Sequence, residues 1–208
     1  FSISSSIMHY HWKNSEVSLI DAPGYMDFLG QALSVLKVVD GVLLVIDVKS
    51  GLQAATERII EYLKENPKPA FCIINKLDQE NVNFTSAVEE IRSASGLNLV
   101  PITIPVAEGE KFNSVIDLLL NQQYNYKGGA AQGTKSAVDD IKKSEVEAYH
   151  SSLIESIVET NDELLNKYLE GETIESSSIN AVLKSAVSEC KVVPVFAVSS
   201  GKNVGVTL

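Results

Sequence analysis

Cysteine is scarce in this chain, basic charge is outnumbered, and no long apolar run occurs. Only Cys72 and Cys190 are present among 208 residues. Neither has a metal-ligand spacing, and each falls in or beside a strand-like segment, so both read as reduced core or boundary residues rather than disulfide or zinc partners. The longest apolar stretch, around Val42 to Val48, is far too short to span a bilayer, and no signal-peptide pattern is visible. These features predict a cytoplasmic protein with no membrane partner. With 17 Lys and Arg against 27 Asp and Glu, the formal net charge is −10. Phosphate-backbone gripping needs clustered cations, so little direct nucleic-acid binding is expected. Lys142-Lys143, the densest basic spot, reads as a solvated helix face, and the alternating His9, His11 and Trp12 as a plain strand surface without a third metal ligand. No internal repeat occurs, and Gly128–Gly133 is the one low-complexity stretch. A further absence is chemical: no segment matches G-x-x-x-x-G-K-[ST], the loop that cradles β- and γ-phosphates.

Two motifs are nevertheless of nucleotide type. Asn75-Lys76-Leu77-Asp78 follows the apolar run Ala70–Ile74. A carboxylate at Asp78 can accept two parallel hydrogen bonds from guanine N1–H and its exocyclic amine, a donor pair adenine lacks. Asn75 would reach the N7 edge while tying loops together, and the Lys76 stem would lie along one face of the base. Asp21-Ala22-Pro23-Gly24 ends the strand-like run Val17–Ile20 and precedes a helical pattern. A carboxylate there suits Mg²⁺, held through water, and Gly24 would let its backbone N–H approach a terminal phosphate without a Cβ in the way. Singly, such a turn is unspecific; the two motifs in this order, each closing an apolar strand, point to a guanine-nucleotide switch.

The periodicities outline the architecture. A hairpin over about 7–20 turns near Lys13–Glu16, and a helix follows over about 27–38. A buried strand at 42–48, a helix at 54–66 ended by Pro67, a strand at 70–74 and a helix at 83–95 closed by Gly96 then alternate, which predicts a mainly parallel α/β sheet. From about Leu97 to Cys190 the pattern changes to short strands, the Gly-Ala loop, and helices near 144–158, 162–169 and 176–188, with Glu172-Thr173 introducing the last. Residues 191–208 return to a strand and a polar loop, Ser199-Ser200-Gly201-Lys202-Asn203.

With these residues in view, the chain resembles a translational GTPase family, elongation factor G and its paralogues, over nearly its whole length. Trp12-Lys13, Asp40–Asp47, Gly51 and Glu57 are similar to that family's GTPase core. More specific are Leu99–Pro105, Phe112 with Val115–Leu118, Glu159–Leu165 and Lys167–Glu172, which resemble the subdomain inserted into it. The resemblance implies an incomplete phosphate-loop-type sheet: GTPase core at 1–96, inserted α+β subdomain at 97–190, and return strand with the last guanine loop at 191–208. It also implies Asp21, Gly24, Asn75, Lys76, Asp78, Ser199 and Ser200 as nucleotide-binding residues. Ser199-Ser200 stand where the family has Ser-Ala, whose main-chain N–H reaches guanine O6.

Ser2 aligns with the switch-loop Thr that ligates Mg²⁺, with Asp21 completing the metal site directly or through water. Tyr25 occupies the place of the family's water-positioning His, as in elongation factor G-like paralogues; a phenol stays neutral near pH 7, so efficient ribosome-stimulated hydrolysis is not expected of it. In the family the phosphate loop lies upstream of residue 1, so the chain reads as a piece cut at both ends, inactive by itself and without bound nucleotide. The intact protein is expected to be a cytoplasmic GTPase using GTP/GDP and Mg²⁺ on the ribosome, in translocation or a related step. Alternatives are a ribosome-protection or recycling GTPase, and a non-catalytic folding unit.

Overall fold

The computed structural model describes residues 2–128, 130, 132–172 and 174–207. These fall into two compact units, one up to Val42 with Leu52–Lys68, the other Leu43–Gly51 with everything from Pro69 on. The first unit holds a hairpin of β1 (Ser6–Trp12) and β2 (Ser15–Asp21), which form a two-stranded antiparallel sheet of their own, Trp12 facing Ser15. Lys13 makes the tight turn with φ 53°. His9 Nδ1 lies 2.9 Å from Ser18 Oγ across the strands, so this ring takes part in a cross-strand pair. After a 3₁₀ turn at Met26–Phe28 comes α1 (Leu29–Leu36), shorter at both ends than the periodicity predicts. Its N-terminus has no side-chain cap, so the first turn tightens instead. Helix α2 (Ala54–Glu65) packs against α1, and the Lys68 ammonium donates to Val39 O at 2.8 Å.

The second unit is built on a four-stranded sheet in the order β3 (Val42–Asp47), β4 (Ala70–Asn75), β10 (Val193–Ala197), β5 (Leu99–Pro101). β10 pairs in parallel with both β4 and β5. Strand β3 departs from the buried strand expected at 42–48. Leu44, Ile46 and Val48 are buried, but Leu43 and Val45 are 49% and 56% exposed. Buried and exposed residues alternate along β3, so one of its faces is packed and the other is not, and Phe71 of the neighbouring β4 is 38% exposed as well. Helix α3 (Phe84–Ser95) has both ends coded locally. Asn83 Oδ1 accepts from Ser86 N at 2.7 Å, and Gly96 closes the helix at φ 64°.

Beyond β5 the chain makes an antiparallel sheet, β6 (Thr103–Pro105), β7 (Ser114–Asp117), β8 (Gln122–Asn125) and β9 (Thr134–Ser136), in that order. It is bonded to the parallel sheet at β10: Ile102 N donates to Val195 O at 2.8 Å, and Ala197 N to the buried Thr103 hydroxyl at 2.8 Å. Gly129 and Ala131 of the Gly-Ala loop, and Thr173 before the last helix, lie outside the described residues. Helix α4 (Lys143–Val158) packs on β5 and on α5 (Asp162–Leu169) and α6 (Ser176–Ser188). Lys142 and Lys143 pair with Glu145 and Asp140, so the densest basic spot is neutralised locally. Cys72 is fully buried, and burial pushes its thiol up to about 12. Both cysteines are free. No helix of the described residues is long and apolar enough to cross a membrane.

Candidate functional site

Strands β4 and β10 run parallel and adjacent, so the loops at their carboxyl ends emerge side by side. This is where open α/β sheets bind ligands. Asn75 ends β4, and its side chain bridges to a loop 125 residues away: Oδ1 accepts from Ser200 N and Nδ2 donates to Ser200 Oγ, both at 3.0 Å. The same Oδ1 accepts from Lys76 N at 2.8 Å. Lys76 holds the left-handed backbone conformation, φ 65°, which lysine seldom adopts. Leu77 behind it is fully buried, which fixes the loop from below. Ser199, 0% exposed, donates its hydroxyl to Asp78 Oδ1 at 2.6 Å and accepts from Lys202 N at 3.1 Å. Among the described residues no donor occupies Asp78 Oδ2. A half-buried carboxylate held through one oxygen, beside an amide and two hydroxyls, suits a planar base presenting adjacent N–H groups.

Five of the residues singled out by sequence are therefore brought together: Asn75, Lys76, Asp78, Ser199 and Ser200. One detail differs from the role the resemblance implies. The Ser200 N–H is donated to Asn75 Oδ1, so it reaches a base carbonyl only if the Asn75 amide turns away. The others belong to the first unit. Asp21 ends β2 opposite Ser6, exposed Ser2 precedes β1, and Tyr25, 53% exposed, precedes the 3₁₀ turn. A Cβ added at Gly24 would meet no heavy atom within 4 Å, so this chain's own packing does not call for glycine there. Among the described residues no cluster of three or more His, Cys, Asp or Glu could hold a metal ion.

Asp47 closes the stretch Asp40–Asp47 that resembles the family's core, but its partner is not evident from sequence. Its Oδ2 lies 2.6 Å from the Lys76 ammonium, while Oδ1 accepts from Lys49 N at 2.9 Å. Burial pushes the carboxyl up, but the Lys76 hydrogen bond, the Lys49 N–H and the Lys76 charge outweigh it and leave the group below its ordinary value. The hydrogen bond and charge of Asp47 hold Lys76 above its own. The pair's contribution is therefore fully present above the unfolded carboxyl value near ~4 and lost as pH falls through the lowered one. At the alkaline end it is present below the unfolded lysine value and lost as pH rises through the raised one. Because Lys76 is half exposed, Asp47→Asn is expected to cost about 0.5–1 kcal/mol at pH 7. Urea unfolding should show that difference shrinking in acid; a difference independent of pH would contradict the pairing.

A family model described as the elongation factor Tu GTP binding domain matches residues 1–208. The chain belongs to that family. It is 32% identical over 207 residues to an elongation factor G-like protein of Thermotoga maritima, covering 100% of this chain and 29% of that protein. With elongation factor G of Mycoplasma pneumoniae it shares 31% identity over 207 residues, 99% of this chain and 30% of the relative. A crystal structure of a Thermus thermophilus protein superimposes with a TM-score of 0.89 at 29% identity, covering 98% of this chain and 30% of that one. The chain thus spans about 30% of the length of the curated relatives it matches. As a member of that family, it has the α/β fold with a parallel sheet expected from the sequence.

Proposed function

We propose that this domain recognises the guanine base of GTP and GDP through Asn75, Lys76, Asp78, Ser199 and Ser200, and hydrolyses GTP as part of an intact elongation factor G-like protein acting on the ribosome. The observation that carries the reading is the hydrogen-bond set joining the β4 and β10 loops, in which Ser199 orients the Asp78 carboxylate and Asn75 grips Ser200. Asp78 accepts from guanine N1–H and its 2-amino group, and the Lys76 stem covers one face of the ring. Asp21 and Gly24 serve the phosphate end, where the free space at the Gly24 Cβ position supports a close approach by phosphate rather than a packing role. Mg²⁺ would be held by Ser2 and Asp21, directly or through water, and would neutralise charge on the phosphate oxygens. The residues 97–190 form the inserted subdomain of this reading, between a GTPase core at 1–96 and its return segment at 191–208. Nucleotide competition tests the base assignment: Asp78→Asn in a polypeptide that also carries a phosphate loop is expected to exchange guanine for xanthine preference.

Tyr25 favours a second reading of the biological role. At the place of a water-positioning imidazole, a phenol suits a protection or recycling factor whose hydrolysis times departure rather than driving rapid translocation. Tyr25→His is expected to raise ribosome-stimulated hydrolysis while leaving nucleotide affinity nearly unchanged, because the position acts on the water and not on the bound ground state. Single-turnover hydrolysis alongside equilibrium binding checks this. Equal losses of affinity and rate would make Tyr25 a structural residue.

A further inference from the structure

The connection between β6 and β7 reaches both loops at the carboxyl ends of β4 and β10, and the start of α3. Gly109 N, in a 3₁₀ turn at φ +72°, donates to Leu77 O at 2.8 Å, inside the Asn75–Asp78 loop. From the other loop the Lys202 ammonium donates to Glu110 O at 2.8 Å. The Glu108 carboxylate accepts from Phe84 N at the start of α3, directly after the first loop. Phe112, 0% exposed, anchors the connection, and its own N–H closes the turn on Gly109 O at 2.9 Å. Successive residues of one turn, 109 and 110, therefore hold the two loops that meet at Asp78 and Ser199.

We propose that the turn Gly109–Lys111 is a brace setting the spacing of the two loops, with Lys202 and Gly109 as positioning residues for guanine recognition. The chain of contacts is continuous. Glu110 O holds the Lys202 side chain, Lys202 N holds Ser199 Oγ, and Ser199 Oγ holds Asp78 Oδ1. A base that reads a carboxylate from one loop and main chain from another depends on their separation, and displacement by about 1 Å is enough to lose much of the binding. The antiparallel sheet thereby acquires a role in nucleotide affinity although it offers the base no contact of its own. This inference rests on the guanine reading for its consequence, but the brace itself is measurable without nucleotide.

Lys202→Met keeps the aliphatic stem and removes the donor. In the 208-residue chain, amide–water exchange followed by NMR is expected to accelerate about threefold to tenfold at Ser200 and Lys202, the size of one modest hydrogen bond, with β4 amides at Cys72 and Ile74 and the β10 amide at Val195 unchanged. Lys202→Arg, which can still donate to Glu110 O, should restore the slow exchange. In a polypeptide that also carries a phosphate loop, Lys202→Met should raise the Kd for GDP by a similar factor with kcat unchanged. Unaltered exchange at Ser200 and Lys202, or acceleration spread equally over β4 and β10, would overturn the brace. If exchange responds as expected while Asp78→Asn fails to admit xanthine, the brace stands and the nucleotide reading falls.

Discussion

Calorimetry on the 208-residue polypeptide is expected to detect no GTP or GDP binding at micromolar concentrations. The chain contains no G-x-x-x-x-G-K-[ST] segment, and such a loop makes several charge-assisted hydrogen bonds to phosphate, each worth roughly 1.5–3 kcal/mol. Their sum, on the order of 10 kcal/mol by the same count, exceeds the roughly 8 kcal/mol that micromolar affinity represents. The loops proposed to meet the base cannot offset this, since Asn75 and Ser200 already hydrogen-bond each other and would have to exchange those bonds to engage a ring. Joining a phosphate loop to the chain should bring the affinity into the measurable range. Micromolar binding by the 208-residue polypeptide itself would overturn the division of labour between phosphate and base.

What was legible in the sequence depended on how local its cause is. Helix α3 could be bounded closely because Asn83 and Gly96 act on backbone groups within a turn of themselves. That Asn75, Lys76 and Asp78 act together was legible because they share one short loop, as Ser199-Ser200 share another; that the two loops meet is seen only in the fold. The pairing of Asp47 with Lys76 was not: the two lie 29 residues apart, and nothing in the stretch Asp40–Asp47 marks the lysine that its last residue meets. The Lys202 contact was hidden more deeply, since its acceptor is a main-chain carbonyl 92 residues away and a carbonyl has no sequence signature. Strand β3 shows the same limit in packing. Its apolar run reads as two buried faces, but which face is covered is settled by packing between segments distant in sequence, and Leu43 and Val45 remain exposed.

If Asp78 reads guanine as proposed, replacing one atom of its carboxylate should change the base. Asp78→Asn keeps the size and leaves Oδ1 or Nδ2 to meet Ser199, but exchanges a double acceptor for one acceptor and one donor. Guanine then presents N1–H and its amine to a group that can accept only one of them and directs an N–H at the other. Xanthine carries a carbonyl where guanine has the amine, and that donor suits it. Hydrogen bonds to charged groups are worth roughly 1.5–3 kcal/mol, so GTP should weaken by about ten- to a hundredfold while xanthosine triphosphate gains. The decisive measurement is competition between GTP and xanthosine triphosphate for the wild-type and Asp78→Asn forms of a polypeptide carrying a phosphate loop. The preferred nucleotide should change from GTP to xanthosine triphosphate; parallel weakening of both, with the preference for GTP intact, would show that Asp78 does not read the base.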